Sequence, residues 1–222
     1  MNTQSIFNNT AVSSATRNKV LRDTYKLLSM TLLFSALMAG VSMAIALPPM
    51  MSMIASFGAI ALVWFVLPRT ANSSAGIFVV FGFTGLLGLG LGPMLHMYLS
   101  MPGGSQVIMT AMGGTGVIFL GLSAYALTTK KDFSFLGGML FAGIIVVLIA
   151  ALANIFLAMP GLQLAISGAV ILIMSGFILF DTSRIVNGGE TNYIMATASL
   201  YLNIYNIFVS LLQILGVFSN DD

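Results

Sequence analysis

The chain has 222 residues, of which 58% are hydrophobic and 6% charged, and its mean hydropathy is +1.03. An ordinary soluble domain is about 25% charged, so water is not the solvent for most of this surface and a soluble globular domain is excluded. The net charge of +2 includes no basic run suited to nucleic acid, and the lack of cysteine removes disulfides, thiolate metal sites and thiol nucleophiles.

At about 20 apolar residues per crossing, the length accommodates roughly six to eight membrane spans. Residues 1–26 read as a cytosolic N-terminal tail carrying Arg17, Lys19, Arg22 and Lys26. This basic start resembles that of a signal peptide. The apolar run that follows, 27–47, is too long for a typical signal core and no small-residue cleavage site precedes the next run, so it is expected to remain as a first helix. Further apolar runs occupy 50–67, 76–99, 107–127, 135–157, 162–180 and 193–218. Pro48-Pro49, Pro68, Pro102-Gly103-Gly104, Lys130-Lys131-Asp132, Pro160-Gly161 and Gly188-Gly189 punctuate them.

These runs are about twice the length of a barrel strand, and an open strand edge in hydrocarbon leaves backbone groups unpaired. The expected fold is therefore an all-α integral membrane protein, a bundle of seven transmembrane helices over residues 27–218 with a short C-terminal tail at 219–222. Arg69, Lys130, Lys131 and Arg184 fall in alternate loops on the side of the basic tail, and the opposite loops contain no Lys or Arg. The positive-inside rule then places the N-terminus in the cytoplasm and the C-terminus outside it.

The third run is rich in glycine, and Gly88 with Gly92 forms a small-xxx-small pair. That pattern suits either close helix packing or a hinge beside a cavity. Few polar residues sit at membrane depth. His96, beside Tyr98, is expected at the interface, and Asn154 is expected to bond a neighbouring helix.

The informative cluster lies where the sixth run ends and the seventh begins. Asp181 follows Ile178-Leu179-Phe180, with Arg184 three residues on, and Asn203 and Asn206 interrupt the last run beside Tyr201 and Tyr205. At 1.5 Å per residue, Asp181 lies about 9 Å and Asn203 about 15 Å from the basic end, so a shared pocket is possible. A charge at that depth is costly by about 2.5–3.5 kcal/mol and marks either a functional site or a paired structural one. Two readings stay open: Asp181 and Arg184 neutralise each other at the headgroup boundary, or Asp181 is a titratable gate. No HExxH, GxSxG or paired catalytic carboxylates occur, so neither enzyme activity nor a metal or other cofactor is expected.

The same residues carry a family resemblance. Leu91-Gly92-Pro93-Met94-Leu95, Thr110-Ala111, the stretch Lys130-Lys131-Asp132-Phe133-Ser134-Phe135-Leu136, Phe180-Asp181, and Ser199-Leu200-Tyr201-Leu202 with Tyr205-Asn206-Ile207-Phe208 together resemble the Bax inhibitor-1 family. The stretch from Leu127 to Met139 and Gly188-Gly189-Glu190-Thr191-Asn192-Tyr193 resemble its bacterial inner-membrane members that bind and restrain the membrane-anchored AAA protease FtsH. The resemblance implies a central last helix and, in some members, a pH-sensitive leak of calcium or protons. In those members two aspartates on the last two helices share a proton, and a basic residue at the end of the second helix helps latch the pore. Asp181 falls on the first aspartate, Asn203 replaces the second, and Arg69 approximates the latch. One carboxylate and one amide form a poor site for calcium, which prefers six to eight oxygens, so calcium conduction is the lesser expectation.

Overall fold

The computed structural model describes residues 14–129 and 131–219. Residues 1–13, Lys130 and residues 220–222 lie outside the described residues, and with them half of the expected N-terminal tail, one of the two loop lysines and most of the C-terminal tail.

Among the described residues, seven helices are long and apolar enough to cross a bilayer: α1 (Ser14–Ala44), α2 (Pro49–Thr70), α3 (Ala75–Leu99), α4 (Gly104–Thr129), α5 (Leu136–Leu157), α6 (Pro160–Asn187) and α7 (Tyr193–Phe218). The described residues contain no strand. The fold is an all-α integral membrane bundle.

Helix α1 begins thirteen residues before the apolar run. Its buried face explains why: Val20 and Thr24 continue inward to Leu27, Leu28 and Thr31 at helical spacing. Lys19, Arg22 and Lys26 occupy the exposed side of the same turns. Helix α2 starts with Pro49 at its first position and widens to a π-turn over Leu62–Val66. Pro68 has no N–H to close the ladder there, and the Leu67 N–H reaches back to Leu62 O. Helix α6 runs on past Phe180 through Asp181 and Arg184, and stops at Gly188, whose φ of 80° makes the left-handed cap.

Helix α7 is central. It touches α1, α3, α4 and α6, and those four close a ring around it, α1 on α3, α3 on α4, α4 on α6 and α6 on α1. Helix α2 packs outside α3, and α5 packs outside α6. Leu33, Leu37, Phe57, Trp64, Phe78, Val117, Ile145 and Phe156 are exposed on the outer faces, as a lipid-facing surface requires.

The glycine row of α3 resolves into close packing against α1. A side chain at Gly85 would meet the Phe34 ring, at Gly88 the Ser35 carbonyl, and at Gly92 the Ser42 hydroxyl. Pro93 lies inside α3 and cannot donate to the carbonyl four residues earlier, Leu89 O. Ser42 Oγ of α1 donates to that carbonyl instead, at 2.8 Å. Gly92 leaves the room that this bond needs.

Candidate functional site

Asp181 lies on the last turns of α6, on the face turned to α7, and is 8% exposed. Two side chains of α7 donate to the same carboxyl oxygen, Oδ2: Ser199 Oγ at 2.6 Å and Asn203 Nδ2 at 2.9 Å. Ser199 and Asn203 are four residues apart, so one helical face presents both. The structure thus brings Asp181 and Asn203 together and adds Ser199, whose role the sequence reading did not assign.

Arg184 does not join them. Its guanidinium donates to Gly189 O at 3.2 Å, pairs with Glu190 at 3.6 Å and lies 5.5 Å from the centre of the Phe180 ring. Asp181 and Arg184 form no direct ion pair: the ion pairs among the described residues are Arg184–Glu190 and Arg22–Asp23. The glycine cap at Gly188 turns the chain so that Glu190 returns to Arg184, and the α6–α7 loop closes on itself. Arg69 also stands apart. It donates to Phe65 O within its own helix, over the π-turn, and no described contact links it to Asp181.

Between Ser199 and Asn203 on α7, Tyr201 shares a 2.6 Å hydrogen bond with Ser35 and donates to Thr84 O at 3.3 Å. Its ring meets Phe83 edge-on and stacks on Tyr205. The last helix is thereby tied to α1 and α3 between the two residues that hold the carboxyl. Asn206 bonds only Leu202 O of its own helix.

The loops at the basic end hold the site in place. Asn192 caps α7 by accepting from the Ile194 and Met195 N–H groups, and donates to Ala71 O and Asn72 of the α2–α3 loop. Ser183 accepts from Phe133 N and donates to Lys131 O, which pins the α4–α5 loop to α6. Hydrogen bonds from Ser134 hold the Asp132 carboxyl in that loop below the usual carboxylate range.

A second polar chain spans the opposite end. Asn154 Nδ2 donates to Gln163 at 3.2 Å, Gln163 Nε2 to Gln213 at 3.0 Å, and Ser167 Oγ to the same Gln213 oxygen at 2.7 Å, joining α5, α6 and α7. Asn154 makes the interhelical bond expected of it. The two glutamines were not anticipated, because single amides fifty residues apart form no spacing pattern. His96 is exposed in the last turn of α3. No group of three or more His, Cys, Asp or Glu among the described residues could hold a metal ion.

Fold and site define a class: a multi-pass helical membrane protein with a single buried carboxyl clasped between its last two helices. Residues 17–220 match the model of the family described as inhibitor of apoptosis-promoting Bax1, and the chain belongs to this Bax inhibitor-1 family. It is 56% identical over 207 residues, 92% of each chain, to an Escherichia coli K12 protein named modulator of FtsH protease YccA. A Vibrio cholerae membrane protein is 56% identical over 205 residues, again 92% of each chain, and a Pseudomonas aeruginosa protein is 49% identical over 91% of each. None of these names describes an enzyme.

Proposed function

We propose that this chain is an inner-membrane protein that binds the FtsH protease and restrains its action on other membrane proteins, with its N-terminus in the cytoplasm and its C-terminus in the periplasm. The observation that carries the reading is the similarity, over 92% of both chains, to the Escherichia coli protein named as a modulator of that protease. The chemistry of the bundle supports it. Asp181 with Ser199 and Asn203, and Ser35 with Tyr201, bond one another between helices, as in an interaction scaffold.

Asp181 and Asn203 then act as a clasp between α6 and α7 that fixes the last turn of α6, which bears Arg184, and Arg69 steadies the end of α2. As a calcium gate the clasp offers few oxygens, since the amide and the hydroxyl both spend donors on a single carboxyl oxygen.

Co-purification from mild detergent with FtsH, together with degradation of a membrane substrate with and without this chain, tests the proposal. Slower degradation and a retained complex are expected. Degradation that is indifferent to the chain, with no complex, overturns it. Cation flux in reconstituted vesicles that vanished in Asp181→Asn would instead favour the leak.

A further inference from the structure

At the basic end, α1, α4 and α6 leave a cavity of about 340 Å³. Arg17 and Asn18 of α1 and Asn187 of α6 stand at its polar rim, and Leu21, Leu127 and Val186, one from each helix, form an apolar floor. No carboxylate lines it. The nearest acid along α1, Asp23, is paired with Arg22. The half-buried Arg17 guanidinium makes one long bond, 3.5 Å to Val186 O, and has no ion-pair partner among the described residues. The exposed Asn18 amide makes no hydrogen bond among the described residues.

The polarity of the junction continues inward. Tyr25, Ser123 and Thr182 each lie four residues, one helical turn, deeper than Leu21, Leu127 and Val186. The hydroxyl oxygen of each is buried and has no hydrogen-bond partner among the described residues. Three unpartnered donors, one turn farther in along the three helices that line the cavity, leave these helices short of acceptors. Leu127 ends the apolar run of α4, so the cavity lies where lipid headgroups begin.

We propose that this cavity binds the phosphodiester headgroup of an anionic phospholipid. The phosphate sits on Arg17 and Asn18, a charge-assisted and multidentate pairing. The apolar floor receives the start of the acyl chains, and the ester carbonyls, about one turn deeper, supply acceptors to the three hydroxyls once the leucine tips move aside.

Native mass spectrometry of the full chain in mild detergent tests this, with phosphatidylglycerol, phosphatidylethanolamine and inorganic phosphate as separate probes. One phosphatidylglycerol is expected to be retained in preference to phosphatidylethanolamine. Arg17→Gln, which removes the charge, and Leu127→Trp, which fills the cavity without touching charge, should each lower retention about tenfold. Arg22→Gln, outside the cavity, should leave it unchanged. Equal loss in Arg17→Gln and Arg22→Gln, or undiminished binding in a folded Leu127→Trp, would reduce the effect to general surface charge and overturn the site. Displacement of the lipid by an equal concentration of inorganic phosphate would overturn the lipid assignment.

Discussion

A carboxyl buried among helices must find donors, and Asp181 finds two on one face of α7. Removing one leaves the carboxyl underbonded, at a cost of about 1–3 kcal/mol. Asn203→Leu should lower stability by that amount in a detergent melt. Asp181→Leu added to it should recover much of the loss, because the pair is then apolar on both sides. If the double variant were as unstable as the sum of the singles, the clasp would not be the source of the effect. Asp181 and Asn203 were legible in the sequence, because a charge and an amide interrupting apolar runs stand out and their depths agreed to within about one turn. Ser199 was not, since a serine in a membrane helix carries no signal of its partner. Nor was the choice Arg184 makes: helical spacing allowed Asp181, and the glycine-capped loop offered Glu190 instead.

The helices show how close approach and backbone repair go together. Gly88 faces the Ser35 carbonyl, so Gly88→Val should destabilise the bundle by about 1–3 kcal/mol through overpacking, while Gly113→Ala, where nothing lies within 4 Å, should be nearly neutral. Comparing the two melts separates packing from helix propensity. Ser42→Ala should cost about 1 kcal/mol by leaving Leu89 O without its donor, an effect that Pro93→Ala in the same chain should cancel by restoring the ladder. At the far end, Gln213→Leu removes the acceptor that Gln163 Nε2 and Ser167 Oγ share and should cost about 1 kcal/mol. The centres of the seven helices were readable because apolar runs of membrane length are hard to mistake. Their ends were less so. Helix α1 keeps its buried spacing through a charged stretch, α6 passes through Asp181, and the π-turn of α2 answers to a proline two residues beyond it.

Across the whole molecule, one helix is wrapped by four, and two more lie outside against α3 and α6. Side-chain bonds to loops gather at the basic end, where Asn192, Ser183 and Arg184 fix three connections. The opposite end is held by the chain of Asn154, Gln163, Gln213 and Ser167. This asymmetry suits the proposal that the basic end faces the cytoplasm and meets a partner there, which requires seven complete crossings with every basic loop on one side. The chain has no cysteine, so single introduced thiols report position without interference. Labelling of Lys131→Cys and Ser105→Cys in intact cells with a membrane-impermeant reagent is the most direct test. The account predicts that Ser105→Cys reacts from outside and Lys131→Cys only after the inner membrane is opened; reaction of both from the same side would contradict it.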